Sequence, residues 1–327
     1  MSYSQGGCDT IRLANDFSSS VGDIFFDSSS LSNTHSSTAI NFLVSENILI
    51  GDAKTMSYSQ GGCDTIRLAN DFLSRVGDIN FDSRSLLTTN SSTATNFNVS
   101  NNELFGDAES MIHSKGGSDI LSIGVGIFSD SPVNLQIFEN MLFGDAKTMT
   151  HSQGGNDKLT GADGKGSVTY LYGDAQFTDG HSKAGNDVLT SGRGNDQMWG
   201  DFASVLNPAT SSNDHDHEDD DGGYGWDEHE SDHDDDHHAF NPYKYAGKDT
   251  FVFKENNGND TIFDFQHGLD KIDLSAANIF SVDGFHIEQS AAHPSDTVID
   301  LGGGNSITLV GVSDVVETDF VFAGISI

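Results

Sequence analysis

The sequence predicts an all-β protein, a parallel β-roll or β-helix solenoid with expanded turns that is closed by a C-terminal β cap. Three observations support this fold class. The sequence repeats itself, the copies share turns rich in glycine and aspartate, and the last third alternates apolar and polar residues. Such repetition is typical of solenoids, in which each unit buries its apolar residues by stacking on its neighbours.

The repeats are clearest at the N-terminal end. The segment MSYSQGGCDTIRLANDF occupies residues 1–17 and occurs again, unchanged, at residues 56–72. Shorter copies begin at Met111 (MIHSKGGSDIL), Met149 (MTHSQGGNDKL) and His181 (HSKAGNDVL). These copies predict successive coils of one solenoid.

Two short motifs recur in every copy. One is a glycine turn that leads to an aspartate and an apolar residue (GGCDTI, GGSDIL, GGNDKL, AGNDVL), and the other is GDA or GDF after paired apolar residues. We interpret GD…GGND as one turn that is widened by a polar insertion. Residues 184–201 show the unexpanded spacing of nine residues, in which Leu189 and Met198 are expected to point inward while glycine supplies the turn.

Composition excludes several classes of function. The formal net charge of -35 repels nucleic acid and anionic lipid but attracts divalent cations. No apolar run is long enough to span a bilayer, and the first ten residues lack the basic start and apolar core of a Sec signal. The two cysteines, Cys8 and Cys63, are expected to lie several coils apart, beyond the bridging limit of about 7 Å, and therefore to be free thiols.

The glycine turns have the chemistry of a calcium site. Such turns leave carbonyl oxygens uncovered, each adds an aspartate, and Ca²⁺ takes about six to eight oxygen ligands. Stacked turns can supply these oxygens jointly, with ions between consecutive coils. Because so acidic a chain repels itself, we expect folding and metal binding to be coupled.

At this point the residues resemble a known family. GGNDKLTG and GNDVLTSGRGNDQMWGD resemble the hemolysin-type, or RTX, calcium-binding nonapeptide G-G-x-G-x-D-x-U-x. Residues 247–275 and 306–323 resemble the closing segment of type I-secreted bacterial proteins, which include serralysin-like proteases and mannuronan epimerases. The resemblance is most specific over residues 149–323 and looser over residues 1–148.

The resemblance implies a set of metal ligands, several bound Ca²⁺ ions and export by the type I secretion machinery to the extracellular space. The implied ligands are Gly155, Asn156, Asp157, Gly185, Asn186, Asp187, Gly194, Asn195, Asp196, Asn259, Asp260, Asp249, Asp119, Asp64 and Asp9. The aspartate of each GDA or GDF departs from the family's second glycine, and its role stays open between ligation and turn formation. Self-association and contact with a cell surface or polysaccharide are further partners left open.

We predict four segments. Residues 1–148 hold the imperfect 55-residue repeats as an irregular β-solenoid, 149–201 an RTX-like β-roll, 202–245 an acidic, histidine-rich, disordered insert, and 246–327 the end of the roll, the cap and a secretion signal. The insert offers imidazoles for adventitious Zn²⁺ or Ni²⁺. It also contains His229-Glu230-Ser231-Asp232-His233, which fits HExxH. Its flanks lack the apolar periodicity of a docked helix, so we do not expect catalysis there.

Two functions follow from these observations. The first, which we favour, is a secreted calcium-binding β-roll that folds on binding Ca²⁺ and serves as a structural, surface or recognition module without catalysis. The alternative is the C-terminal RTX portion of a larger secreted protease, lipase or polysaccharide-modifying enzyme. Its catalytic domain would lie outside this sequence, which has neither a GxSxG motif nor a P-loop.

Overall fold

The computed structural model describes residue 8 and residues 10–13, 39–45, 48–68, 94–123, 133–164, 167–206 and 245–324. Within these ranges the chain forms β-strands and three 3-10 helices, and no α-helix. The strands are β1 (Thr10–Leu13), β2 (Ala39–Ser45), β3 (Ile48–Ile50), β4 (Ala53–Ser57), β5 (Thr65–Leu68), β6 (Ala94–Ser100), β7 (Glu103–Phe105), β8 (Ala108–Ile112), β9 (Ile120–Ile123), β10 (Val133–Phe138), β11 (Asn140–Phe143), β12 (Ala146–Thr150), β13 (Lys158–Thr160), β14 (Thr169–Tyr172), β15 (Ala175–Thr178), β16 (Val188–Thr190), β17 (Gln197–Trp199), β18 (Phe202–Val205), β19 (Thr250–Val252), β20 (Asn259–Ile262), β21 (Lys271–Asp273), β22 (His286–Gln289), β23 (Thr297–Gly302), β24 (Asn305–Leu309) and β25 (Phe320–Val321). The 3-10 helices span Ser275–Ala277, Val282–Gly284 and Glu317–Asp319.

The strands form four sheets that run along the molecule. Sheet I has the order β1-β5-β9-β13-β16-β19-β21-β25, and sheet II has the order β22-β23-β24-β20-β17-β14-β11-β7-β3. Sheet III has the order β18-β15-β12-β8-β4, and sheet IV has the order β10-β6-β2. From β9 the chain passes through sheets IV, II and III before β13 returns to sheet I, parallel to β9. The predicted parallel solenoid is confirmed.

The core lies between sheets I and II. Apolar side chains of these strands point inward, and parallel in-register pairing stacks each on its equivalent in the next coil, as Leu121 pairs with Leu159 and Leu159 with Leu189. Leu189 and Met198 are both fully buried, as predicted. Burying a side chain of this size stabilises the fold by about 1.5–3 kcal/mol.

A row of stacked rings follows sheet II, and we call it the aromatic column. It consists of Phe105, Phe143, Tyr172, Trp199 and Phe263, whose neighbouring ring centroids are 4.2 to 4.9 Å apart. Such offset stacking adds to the stability that burial alone provides. The column follows from register, because a solenoid brings each side chain against the equivalent position of the next coil.

The polar insertion after each GD motif is more than a widened loop. In the described coils it forms the parallel strands β4, β8, β12, β15 and β18 of sheet III. Ala108, Ala146 and Ala175 pack there with Met111 and Met149 as a second apolar cluster. The expanded turns therefore contribute a further side to each coil.

The cap is formed by β22, β23 and β24. Strand β22 pairs antiparallel with β23, which pairs antiparallel with β24, and β24 continues sheet II in parallel with β20. Ile299, Ile307 and Leu309 extend the core into these strands. The predicted C-terminal β cap is confirmed.

The cysteines lie closer together than expected. Strands β1 and β5 are neighbours with Thr10 paired to Thr65, so Cys8 and Cys63 lie on adjacent coils. The expectation that several coils separate them is wrong, although both are exposed free thiols. In the part of the chain that the structure describes, none of the helices has the length and hydrophobicity of a transmembrane span.

Candidate metal centre

An aspartate stands directly before each strand of sheet I from β5 to β25, and before β5, β9, β13, β16 and β19 it ends a glycine turn. We call this row the first aspartate column. In the described part of the chain its members are Asp64, Asp119, Asp157, Asp187, Asp249, Asp270 and Asp319. The predicted ligand Asp9 would precede β1 and lies outside the described residues, as do His229 and His233 and the rest of residues 207–244.

Hydrogen bonds tie successive members of the first aspartate column together. The backbone N–H of Asp119 donates to Oδ1 of Asp157, that of Asp157 to Oδ1 of Asp187, and that of Asp187 to Oδ1 of Asp249, each at 2.7 Å. The other carboxylate oxygen, Oδ2 of Asp119, Asp157 and Asp187, is buried without a hydrogen-bond partner. One oxygen of each side chain thus bonds to the preceding coil, and the second is left unsatisfied.

The aspartates of the GD motifs form a second aspartate column at the same corner of the coil. Its members are Asp52, Asp107, Asp145, Asp174 and Asp201. Each carboxylate accepts the N–H of a glycine in the turn that follows, as Asp145 does from Gly155 at 2.9 Å and Asp174 from Gly185 at 2.7 Å. These bonds show a role in turn formation. Oδ1 of Asp107 and Oδ2 of Asp174 are nevertheless buried without a partner.

The two columns place many carboxylates in a region that excludes water. Burial and the neighbouring charge of Asp107 raise the pKa of Asp119 to about 9. Burial raises the pKa of Asp187 to about 8, and burial together with the charge of Asp264 raises that of Asp201 to about 8. The pKa of Asp157 is raised well above its ordinary value by burial and by Asp187 and Asp119. These groups need protons or bound cations to remain buried.

The first column ends differently at the cap. The carboxylate of Asp319 lies 2.7 Å from Nδ1 of His267 and accepts the backbone N–H of Val316 at 2.9 Å. Burial opposes ionisation of Asp319, but these hydrogen bonds outweigh it and lower its pKa. At this end of the column the imidazole of His267 contacts the last aspartate, where a further coil would otherwise supply a backbone N–H.

A third aspartate column occupies the opposite corner, at the start of the sheet II strands. Asp196 directly precedes β17, and its N–H donates to Oδ1 of Asp260 in β20 at 2.8 Å. Asp196 accepts from the N–H of Gly192 at 2.7 Å, whereas its Oδ1 is buried without a partner. Burial raises the pKa of Asp196 to about 7. The predicted ligands therefore fall into two separate groups.

The first group lies in the turns before sheet I, and the second lies in the turn before β17 and in the first two residues of β20. The first comprises Asp64, Asp119, Gly155, Asn156, Asp157, Gly185, Asn186, Asp187 and Asp249, and the second comprises Gly194, Asn195, Asp196, Asn259 and Asp260. The asparagine side chains face along the surface. Oδ1 of Asn156 accepts the N–H of Asn186 at 2.8 Å, and Oδ1 of Asn195 accepts that of Asn259 at 2.9 Å. Because these side-chain oxygens already accept backbone N–H groups, the asparagines would offer an ion their main-chain carbonyl oxygens.

Sequence reasoning missed Asp270 and Asp264. The N–H of Asp249 donates to Oδ1 of Asp270 at 3.0 Å, and burial raises the pKa of Asp270 to about 7. Asp264 accepts the N–H groups of Gly200 and Asp201 at 2.8 and 2.9 Å. No glycine pair precedes either residue, so the turn motif gave no signal. The available signal was the pattern of Asp270 followed by a polar and then an apolar residue.

The donor set fits calcium. The columns offer carboxylate oxygens beside the main-chain oxygens of the glycine turns, and hard oxygen ligands are those that Ca²⁺ takes. The buried carboxylate oxygens without partners would each cost free energy unless a cation satisfied them.

The comparison with known families agrees with this chemistry. The model that describes the C-terminal region of the peptidase M10 serralysins matches residues 31–322. The chain belongs to the serralysin C-terminal family. This family comprises RTX calcium-binding repeats, so the predicted resemblance is confirmed. The serralysin C-terminal region is the non-catalytic part of those proteases. A search among curated proteins finds no match to the chain.

Proposed function

We propose that this chain is a secreted β-roll that completes its folding when Ca²⁺ binds between stacked turns, and that it acts as a structural, surface or recognition module without catalysis. The observation that carries the proposal is the row of buried carboxylate oxygens without partners on Asp119, Asp157 and Asp187. Ca²⁺ would supply the positive charge that these carboxylates lack. Family membership supports the choice of ion.

The proposed ligands follow the columns. Carboxylates of the first column would bind ions together with main-chain oxygens of the adjacent glycine turns, and Asp107 and Asp174 have buried oxygens that face the same corner. Asp196 and Asp260 would serve a separate row at the opposite corner. The second column would therefore combine turn formation with ligation.

The proposed location gives calcium a regulatory role. Export by the type I route would bring the chain from a calcium-poor cytoplasm to an exterior where extracellular modules bind Ca²⁺ at about 10⁻⁴–10⁻³ M. Repulsion among unpaired carboxylates would keep the roll from closing before export, and binding would close it afterwards.

One observation favours the alternative function. The matching family model describes the C-terminal region of a protease, which is what the end of a larger secreted enzyme would contain. A longer open reading frame that encodes a catalytic domain upstream of residue 1 would support this alternative, in which the roll still folds by binding calcium.

A calcium titration tests the proposal. The chain is stripped with EDTA, and its far-UV circular dichroism is followed as Ca²⁺ is added, with Mg²⁺ as the control cation. We expect a cooperative gain of β-structure with Ca²⁺ alone. A β-spectrum that is already complete in EDTA at neutral pH would contradict the proposal.

A matched pair of variants locates the ions. Asp187→Asn keeps the shape of a buried first-column residue but removes its charge, so we expect the Ca²⁺ midpoint to rise on the order of tenfold. The same variant should tolerate EDTA better, because one repelling charge is gone. Asp314→Asn changes an exposed residue outside the columns and should leave the midpoint unchanged. Equal midpoints for both variants would place the ions elsewhere.

A further inference from the structure

A row of rings lies on the surface just before the first aspartate column. It consists of Tyr58, His113, His151 and His181, whose neighbouring ring centroids are 4.8 to 5.1 Å apart. Each ring precedes a serine, and the backbone N–H of Ser152 donates to Oγ of Ser182 at 3.1 Å, as that of Ser114 does to Ser152. This serine ladder holds the rings in register.

The repeat is broken at one coil of this row. His113 and His151 each follow the buried methionine of their strand by two residues, whereas His181 follows the equivalent Thr178 by three. The coil therefore holds one additional residue, within the sequence Asp179-Gly180, and Gly180 adopts a φ of 82° that favours glycine. The insertion places a carboxylate beside two histidines.

The carboxylate of Asp179 is held firmly. Its Oδ1 accepts the N–H of His181 at 3.0 Å and the hydroxyl of Ser182 at 3.2 Å, and its Oδ2 accepts the N–H of His151 at 3.0 Å. Burial opposes its ionisation, but the N–H groups of His181 and His151 outweigh burial and lower its pKa. Asp179 therefore carries a negative charge at neutral pH.

The same carboxylate faces both imidazoles. Oδ2 of Asp179 lies 2.6 Å from Nδ1 of His151 and 3.7 Å from Nδ1 of His181. The three potential ligand atoms lie within 4.8 Å of one another. Both histidines are exposed, so the outer side of the cluster is open to water.

We propose that His151, Asp179 and His181 bind a divalent late-transition-metal ion, with Zn²⁺ as the representative, at a site separate from the calcium columns. Two imidazole nitrogens and one carboxylate suit Zn²⁺, Cu²⁺ and Ni²⁺, whereas Ca²⁺ takes oxygen ligands. The ion would join two consecutive coils from the outside. The open side leaves room for a water as the fourth ligand.

The distances are compatible with such an ion. Bonds of about 2.0 Å from Zn²⁺ to nitrogen and oxygen place two tetrahedral ligand atoms about 3.3 Å apart. The 3.7 Å between Asp179 and His181 is close to this value, and the 2.6 Å hydrogen bond to His151 would lengthen by less than about 1 Å on binding. Rotation of an exposed side chain is sufficient for that change.

The test has to resolve individual residues, because six histidines between residues 213 and 238 also offer imidazoles. Diethylpyrocarbonate modification of the calcium-saturated full chain, mapped by mass spectrometry, meets this need. His113, His151 and His181 fall in different tryptic peptides. We expect Zn²⁺ to slow modification of His151 and His181 about tenfold or more, with one common midpoint, and to leave His113 unchanged. Equal rates with and without Zn²⁺ at His151 and His181 would overturn the proposal.

Variants show whether the three residues act together. Asp179→Ala should raise the Zn²⁺ concentration for half-protection about tenfold or more, whereas His113→Ala, in the same row but without a carboxylate, should not change it. His181→Gln provides a second readout if Asp179→Ala lowers the calcium-dependent β-spectrum, because protection of His151 should then be lost in a folded chain. Protection of His151 that survives in His181→Gln would overturn a shared site.

Discussion

Gly144 shows what a single residue contributes to the metal centre. A Cβ atom at this position would overlap the carbonyl oxygen of Gly173 in the next coil and the Oδ2 atom of Asp157. The residue is glycine because the neighbouring coil and a buried carboxylate approach its Cα closely. The glycines at the equivalent positions, Gly106 and Gly173, meet the same two obstacles in their own coils.

Gly144→Ala should therefore destabilise the calcium-loaded chain by about 2 kcal/mol or more, because the added methyl group must displace backbone or carboxylate. Urea unfolding in excess Ca²⁺ measures the effect. Gly324→Ala is the control, since nothing lies within 4 Å of the Cβ that it would add. Similar losses for the two variants would mean that the close approach at Gly144 is relaxed in solution.

Individual aspartates differ in how well the sequence predicted them. Asp157, Asp187 and Asp196 each stand in a glycine-asparagine-aspartate turn, and that local pattern was sufficient to single them out. Asp270 performs the same backbone pairing without the glycines, because its turn is closed instead by the N–H of Gln266, which donates to Asp270 at 2.8 Å. A substitute turn of that kind lacks the glycine signature, and only the aspartate followed by a polar and then an apolar residue remains visible in the sequence.

At the scale of the strand, the aromatic column joins consecutive coils of sheet II. Phe143 is fully buried and stacks on Phe105 on one side and on Tyr172 on the other, at 4.7 and 4.9 Å. Its ring contributes to two coil interfaces at once.

Phe143→Ala is expected to cost about 3–5 kcal/mol, because it leaves a cavity between two rings that cannot move together without breaking the register of their strands. Thermal unfolding in excess Ca²⁺ provides the measurement. Phe280→Ala, at a ring that is 57% exposed, should cost less than about 0.5 kcal/mol. A small effect at Phe143 would show that neighbouring coils collapse into the gap.

Sheet III shows which elements sequence reasoning could not predict. Strand β12 reads AKTMT, with Ala146 and Met149 buried and the residues between them only partly so. Neither the alternation of a half-buried strand nor an apolar run is present, so the segment resembles a loop. The strand exists because the same segment in the neighbouring coils offers it backbone partners, which is a property of the stack.

The whole molecule should respond to pH in a direction opposite to that of ordinary acid denaturation. The column aspartates have folded pKa values raised to about 7 for Asp107, about 8 for Asp187 and about 9 for Asp119, chiefly by burial. Without Ca²⁺ their contribution is fully present below the unfolded pKa and is lost as pH rises through these values. Asp319 has the opposite effect. Its folded pKa is lowered, so its contribution to stability is present above the unfolded pKa and is lost as pH falls.

In EDTA we therefore expect the β-structure content to be greatest near pH 5 and to fall as pH rises to about 9, and Ca²⁺ to remove most of this dependence. Far-UV circular dichroism across that range, with and without Ca²⁺, measures both effects. A calcium-free β-content that increases with pH would contradict the burial of the columns.

The division of the chain into four segments remains a prediction. Continuous sheets run through several of its boundaries.

The number of residues in a coil varies widely, whereas the hydrogen bond at the corner of each coil stays the same. From Asp64 to Asp270, neighbouring members of the first aspartate column are separated by 55, 38, 30, 62 and 21 residues of sequence, yet the same backbone-to-carboxylate hydrogen bond joins each of these pairs. Doubling the length of a flexible loop costs only about 0.6 kcal/mol in closure entropy. The length of the chain between two corners therefore has little effect on the free energy of folding. A scaffold of this kind can therefore accommodate coils of very different sequence length, from 21 to 62 residues between neighbouring aspartates, without a change in the corner that joins them.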